Sequence, residues 1–204
     1  MVFSFKSSEG VQQPHATQRF DSQTLSDSAS DFQKIVWPRI TNLSLVGGGE
    51  LCPVEAVSDT NFKDALDLLA GIDAWQIQKS PSAVRGIASR VQWGASRRTF
   101  TLRTRSSGGG ETELDKRARA ISNQANGHIY PHLTVQAYLD AKAGNLQCVA
   151  VVKTEDLIAR AIFLRENMKY QTNWYGYQAN SDGSEFMYIH WDYLKSKGDT
   201  LDVI

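Results

Sequence analysis

The sequence predicts a mixed α/β (α+β) domain, with helices flanking a central mixed sheet. Three observations carry that expectation. The chain has 204 residues, 41% apolar and 22% charged, enough to bury one core and too apolar for disorder throughout. Stretches of helical period and of alternating period succeed one another as helix, strands, helix, strands, helix and a β-rich tail. Glycine and Asn/Asp clusters punctuate them at turn positions, and no internal repeat is visible.

Residues 1–27 are rich in Ser, Gln and Asp with scattered apolar positions, and read as a flexible N-terminal arm. In "SASDFQKIVWPRI", Ser28 or Ser30 offers a cap and Phe32, Val36 and Ile40 form an i, i+4, i+8 stripe, which predicts a helix that Pro38 ends or kinks. Gly47–Gly49 reads as a plain turn before a strand holding Glu50 and Glu55, because no Lys-Ser/Thr follows to make a phosphate loop. From Phe62 to Leu69 the spacing is helical, and a strand of about 72–78 follows. "VRGIASRVQWG" and "TFTLRTR" predict two further strands, joined through "GASRR" as an antiparallel hairpin. "SSGGG" is a loop, and "ETELDKRARAISNQA" a helix with acids in its first turn. "LTVQAYLD" and "LQCVAVVK" read as a hairpin about "AKAGN", and "TEDLIARAIFL" as a helix capped by Thr154. The tail holds two aromatic-rich strands about a turn at 180–183. The organisation expected is an arm (1–27), a core (28–164) and a C-terminal β-rich extension packed on it (165–204).

No apolar run approaches the ~20 residues of a membrane span, and the N-terminus lacks the pattern of a secretory signal. Two cysteines, Cys52 and Cys148, stand apart from any histidine at zinc spacing, which favours a reducing, cytoplasmic setting without a disulfide framework. Net charge is zero, yet Val84–Arg119 holds nine basic residues against three acidic ones. That local surplus is either a polyanion footprint or a solvated face.

The chemistry-bearing stretch is "AGIDAWQIQKSPSAVRGIASRVQWG". Strand alternation puts Arg90 and Gln92 on one face, and Asp73 joins them at the same end if its strand pairs alongside. A carboxylate, an amide and a cation can together hold a divalent metal, a phosphate and a water. The structural alternative is an Arg–Gln pair facing water with Asp73 in a nearby turn.

"GIDAW" followed by "ASRVQW" resembles the PD-(D/E)xK nuclease superfamily over about residues 28–153. The shared signature is an acid entering a strand, a polar-plus-basic signature on the next strand, then a helix and a strand. The resemblance implies a restriction-endonuclease-like core, with Asp73 and Gln92 as ligands of Mg²⁺ (or Mn²⁺). Arg90 would be the cation at the attacked phosphate. No Glu-x-Lys occurs on the second strand, and Arg90 precedes Gln92 where the family's cation follows. A further acid would be Glu55, with Asp31 or Asp67 as the other choices. The activity implied is phosphodiester hydrolysis, in a phage or mobile-element conflict (phage defence) setting. A degenerate, non-catalytic nucleic-acid-binding or protein-interaction subunit is the alternative, and a purely structural interaction protein a third.

Arg97, Arg98, Arg103, Arg105 and Lys116 are the expected nucleic-acid contacts, to DNA ahead of RNA, with Ser106 and Ser107 as further phosphate donors. Glu113 and Asp115 read first as ordinary first-turn acids, and second as groups that orient arginines. His128 and His132 are poorly placed for one metal because Pro131 lies between them. His190 and Asp192 read as a hydrogen-bonded pair on a strand face. The tail aromatics read as packing before base stacking.

Overall fold

The computed structural model describes residues 22–54, 71–167 and 171–204. Glu55 and Asp67 lie outside these residues, as does most of the expected arm. The first helix nevertheless begins inside that arm. Helix α1 (Ser22–Asp31) runs through a π-helical turn (Phe32–Val36) into α2 (Trp37–Ile40). Pro38 has no N–H for the carbonyl four residues back, and the turn before it is widened, with the Trp37 N–H given to Phe32 O. The proline therefore reshapes the helix without ending it. Phe32, Val36 and Ile40 are all buried, as their spacing requires.

Strands β1 (Glu50–Pro53), β2 (Ala74–Lys79), β3 (Ser82–Trp93), β5 (Leu133–Leu139), β6 (Leu146–Lys153) and β9 (Leu201–Val203) form a six-stranded sheet in the order β1-β2-β3-β5-β6-β9. Only β3 and β5 are parallel neighbours. A second sheet holds β4 (Thr99–Arg105), β8 (Glu185–His190) and β7 (Tyr175–Ala179) in the order β4-β8-β7. Helices α3 (Glu113–Ser122), α4 (Thr154–Asn167) and α5 (Trp191–Ser196) complete the chain.

The expected hairpin between the strands of residues 84–94 and 99–105 does not form. Over Ile87–Trp93, the stretch such a hairpin would use, β5 takes one edge of β3, and Asp73 and Ser28 bond the other. The connection contains Gly94 at φ +99° and Arg98 at φ +50°, and it carries β4 out of the sheet to pair with β8. The β5–β6 and β7–β8 hairpins form as the sequence implies, and β2 pairs antiparallel with β3, a pairing the sequence left open.

Alternation along the central strands builds two cores. Val149 and Val151 face the N-terminal helices, with Ile87, Val91 and Leu133 beside them. Cys148, Ala150 and Val152 face the other way, against Phe100, Leu102, Met187 and Ile189 of the second sheet and Leu157 and Ala161 of α4. Strand β5 is buried along its whole length, as a strand covered on both faces must be. The last forty residues are integral to this arrangement, because β7 and β8 pair with β4, and β9 closes the main sheet on β6. Thr154 opens α4, with its hydroxyl shared with Thr134 Oγ1 at 2.9 Å. Among the described residues no helix is long and apolar enough to cross a membrane.

Candidate functional site

Beyond Ile87 the β2-side edge of β3 has no strand partner among the described residues. Asp73, one residue ahead of β2, meets this edge. Its own N–H donates to Ile87 O at 2.9 Å, and its Oδ2 accepts the Ser89 N–H at 2.5 Å and faces Ser89 Oγ at 3.4 Å. The Val91 N–H reaches Ser28 Oγ of α1 at 3.4 Å, and Trp93 Nε1 donates to Asp31 Oδ2 at 2.8 Å. An aspartate and a helix thus take over where a strand stops. Asp31, 6% exposed, also accepts the Ala143 N–H at 3.0 Å, so it joins α1 to the β5–β6 loop.

Arg90 leaves the opposite side of β3 from Val91 and enters an ion network centred on Glu113. Arg90 Nη2 lies 3.0 Å from Glu113 Oε2, and Arg117 Nη2 lies 2.9 Å from Glu113 Oε1. The Arg103 N–H also donates to Glu113 Oε2, at 3.2 Å. Arg90 Nη1 donates to Thr101 Oγ1 at 2.8 Å, and Thr101 in turn donates to Gln136 Oε1 at 3.3 Å. Burial pushes the Glu113 carboxyl up, but Arg117, Arg90 and the Arg103 backbone outweigh it and hold the group below the usual glutamate range. Such a carboxylate is a poor proton acceptor and a strong clamp. Glu113 is a first-turn acid of α3 as expected, and it also holds Arg90 and Arg117, because α3 presents this residue to β3 and β4. Asp115 also does more than sit in a first turn, pairing with Arg165 at 2.8 Å.

Arg117 neighbours Lys116 on the same helix, yet it is the most buried charge in the network. Its side chain is 6% exposed, and Nε and Nη1 have no hydrogen-bond partner among the described residues. A Cβ on Gly71 would sit 3.6 Å from Arg117 Nε, which brings the segment leading to Asp73 over the guanidinium. The signal available was helical phase: Arg117 is i+4 from Glu113 and shares the buried face of Leu114 and Ala120.

The structure sets Asp73 and Gln92 at different parts of β3, and Glu55 lies outside the described residues. Gln92 lies three residues past Ser89, about 10 Å along the strand, and projects from the Arg90 face, whereas the Asp73 carboxylate contacts Ser89 at the β2-side edge. Ligands of one Mg²⁺ must each reach within about 2.1 Å of it. No group of three or more His, Cys, Asp or Glu side chains arranged for a metal occurs among the described residues.

The expected phosphate contacts divide into two sets. Arg98 pairs with Asp192 at 3.7 Å and lies over the Trp191 ring, and Arg105 pairs with Glu185 at 3.2 Å. Arg97 donates to Gln178 Oε1 at 3.3 Å, and the Arg103 guanidinium lies over Phe186. Among the described residues Arg97, Arg103 and Lys116 form no ion pair, though the Arg103 charge helps to lower the carboxyls of Glu113 and Asp182. A bulge between Arg103 and Arg105 breaks the alternation that would set both on one face. His190 is not mid-strand: it caps α5, accepting the Asp192 N–H at Nδ1 over 3.2 Å. Compared with known protein families, curated proteins and solved structures, the chain shows no significant match.

Proposed function

We propose that this chain is a non-catalytic nucleic-acid-binding module, holding phosphates through the cations around β4 and the start of α3. One contrast carries the reading. The residues suited to phosphodiester chemistry are engaged inside the fold, Asp73 by Ser89 and Arg90 by Glu113 and Thr101. Arg97, Arg103 and Lys116 form no ion pair among the described residues, although the Arg103 charge acts on Glu113 and Asp182, and the exposed glycines Gly108–Gly110 give the loop between β4 and α3 room to follow a backbone. Contacts of this kind bind without reading sequence. DNA ahead of RNA follows from the nuclease-like resemblance.

A metal-dependent nuclease is the second reading, and chain order favours it. Asp73 directly precedes β2, and β2 hairpins with β3, which carries Arg90 and Gln92. Helix α3 and the parallel strand β5 follow, as the resemblance implies. Fluorescence anisotropy and gel cleavage on labelled duplex DNA and single-stranded RNA, with Mg²⁺ or with chelator, separate the two. Salt-sensitive binding with intact substrate is expected. Cleavage that requires the metal would install the nuclease reading, and absence of binding at low salt would remove both.

A further inference from the structure

A cleft of about 420 Å³ opens on the other face of the main sheet, where β3 and β5 begin and β6 ends. It is distinct from the Glu113 network, since Arg85 projects from β3 on the side of Ile87 and Val91, and Arg90 on the opposite side. Its walls come from five places: Arg85 of β3, His132 just before β5, Lys153 at the end of β6, Glu155 in the first turn of α4, and the loop at Ser44. That loop is fixed, because Ser44 Oγ and the Leu45 N–H both donate to Asp202, at 2.9 and 2.7 Å.

The polar groups divide by chemistry. Arg85 and Lys153 have no acidic partner among the described residues. His132 Nδ1 accepts the Gly86 N–H at 3.2 Å, so the neutral ring carries its proton on Nε2 and offers a third donor. Burial, then the Arg85 charge, lower the His132 pKa against the opposing pull of Glu155, which keeps that tautomer at neutral pH. Tyr130 stacks on His132 with ring centroids 5.5 Å apart. Its hydroxyl lies between Gln124 Oε1, at 3.0 Å, and Glu155 Oε1, which positions the one acid.

We propose that this cleft binds a sugar phosphate, with the phosphate held by Arg85, Lys153 and His132 and a sugar hydroxyl given to Glu155. Two cations and a neutral N–H match the near-double charge and three terminal oxygens of a phosphomonoester, where a carboxylate would offer only two oxygens. Glu155, the one carboxylate lining the cleft among the described residues, would repel a bare anion but accepts a hydroxyl hydrogen bond well, so it selects a ligand carrying both groups. The volume lies in the range of small-molecule sites.

Titration calorimetry of the full chain with ribose 5-phosphate, inorganic phosphate and ribose tests this. Ribose 5-phosphate is expected to bind at least roughly tenfold more tightly than inorganic phosphate, with ribose giving no heat. Arg85→Gln and Lys153→Gln, checked for folding by near-ultraviolet circular dichroism, should each weaken binding by roughly tenfold or more, and Glu155→Gln should narrow the preference over inorganic phosphate. In the wild type the His132 ring signals should move on titration by NMR. No binding of ribose 5-phosphate at millimolar concentration, equal affinity for inorganic phosphate, or affinity unchanged in Arg85→Gln and Lys153→Gln would each overturn the assignment. Arg103 and Lys116 play no part here, so failure of the nucleic-acid reading would leave this result untouched.

Discussion

Asp73 accepts the Ser89 backbone N–H at 2.5 Å, where β3 continues past the first residue of β2. A carboxylate in that position satisfies a strand donor that would otherwise have no partner, and it ties the entry of one strand to the middle of the next. Asp73→Ala is therefore expected to cost about 1–3 kcal/mol, the penalty for stranding a half-buried donor. For a chain of this size each kcal/mol lowers Tm by about 2–4 °C. Urea unfolding and thermal melts would register the loss, and under the binding reading the affinity for DNA would not change. A large fall in a metal-dependent cleavage rate with little change in Tm would instead make Asp73 a ligand.

Glu113 joins Arg90 of β3, Arg117 of α3 and the backbone of β4. Glu113→Gln leaves two guanidinium groups facing a neutral amide, one of them nearly inaccessible, and should destabilise the fold by about 3 kcal/mol. The pH dependence has a definite sign. The folded pKa is depressed, so the contribution is present above the ordinary glutamate range and is lost as pH falls through the lower folded value. The stability gap between wild type and Glu113→Gln should be full at neutral pH and close from about pH 5 downward. A gap independent of pH would mean that the charge does not hold the network.

The parts legible in the sequence are those fixed by neighbours along the chain. Alternation, turn residues and helical stripes located the strands of β2 to β6, the β5–β6 and β7–β8 hairpins and the buried Phe32, Val36 and Ile40 stripe that runs through the π-helical turn into α2. Pairing is a property of the whole sheet. Nothing local in "GASRR" reveals that β5 will take the edge of β3 intended for β4, so the hairpin expectation failed there. Helix α1 begins at Ser22 because the polar run "SQTLSDSASD" is helical without an apolar stripe to announce it. The site residues show the same limit. That Asp73 and Arg90 lie near the same strand was readable. Whether they face each other depends on where β2 stops and on Glu113, twenty-three residues beyond Arg90.

Tyr130 supplies a pH test at the alkaline end. Burial, then the hydrogen bond to Glu155 and its charge, raise the phenol to about 12. The folded chain keeps this proton over a range in which the unfolded chain has lost it, so the contribution to stability is full below the ordinary tyrosine value of 10.0 and is lost as pH rises to about 12. Ultraviolet titration of phenolate should show a late step that Tyr130→Phe removes, and a titration curve without that change would place Tyr130 among ordinary tyrosines.

The phosphate-binding reading makes its sharpest prediction in salt. Each cation that neutralises a duplex phosphate contributes about 0.9 to the slope of log affinity against log salt. Arg103→Gln and Lys116→Gln, which break no ion pair among the described residues, should each lower the slope by about that amount, with little change in Tm. Arg105→Gln is the contrasting case, since Arg105 is paired with Glu185 at 3.2 Å. Its loss frees an acid at the same surface, so affinity should fall through repulsion even if Arg105 touches no phosphate. Restoring neutrality with Glu185→Gln in the same chain should then recover most of the affinity, whereas Glu185→Gln should not rescue Arg103→Gln. Anisotropy titrations at four or more salt concentrations would read both effects. Equal slopes in wild type and in the Arg103→Gln, Lys116→Gln double variant would move the nucleic-acid contact away from β4 and α3.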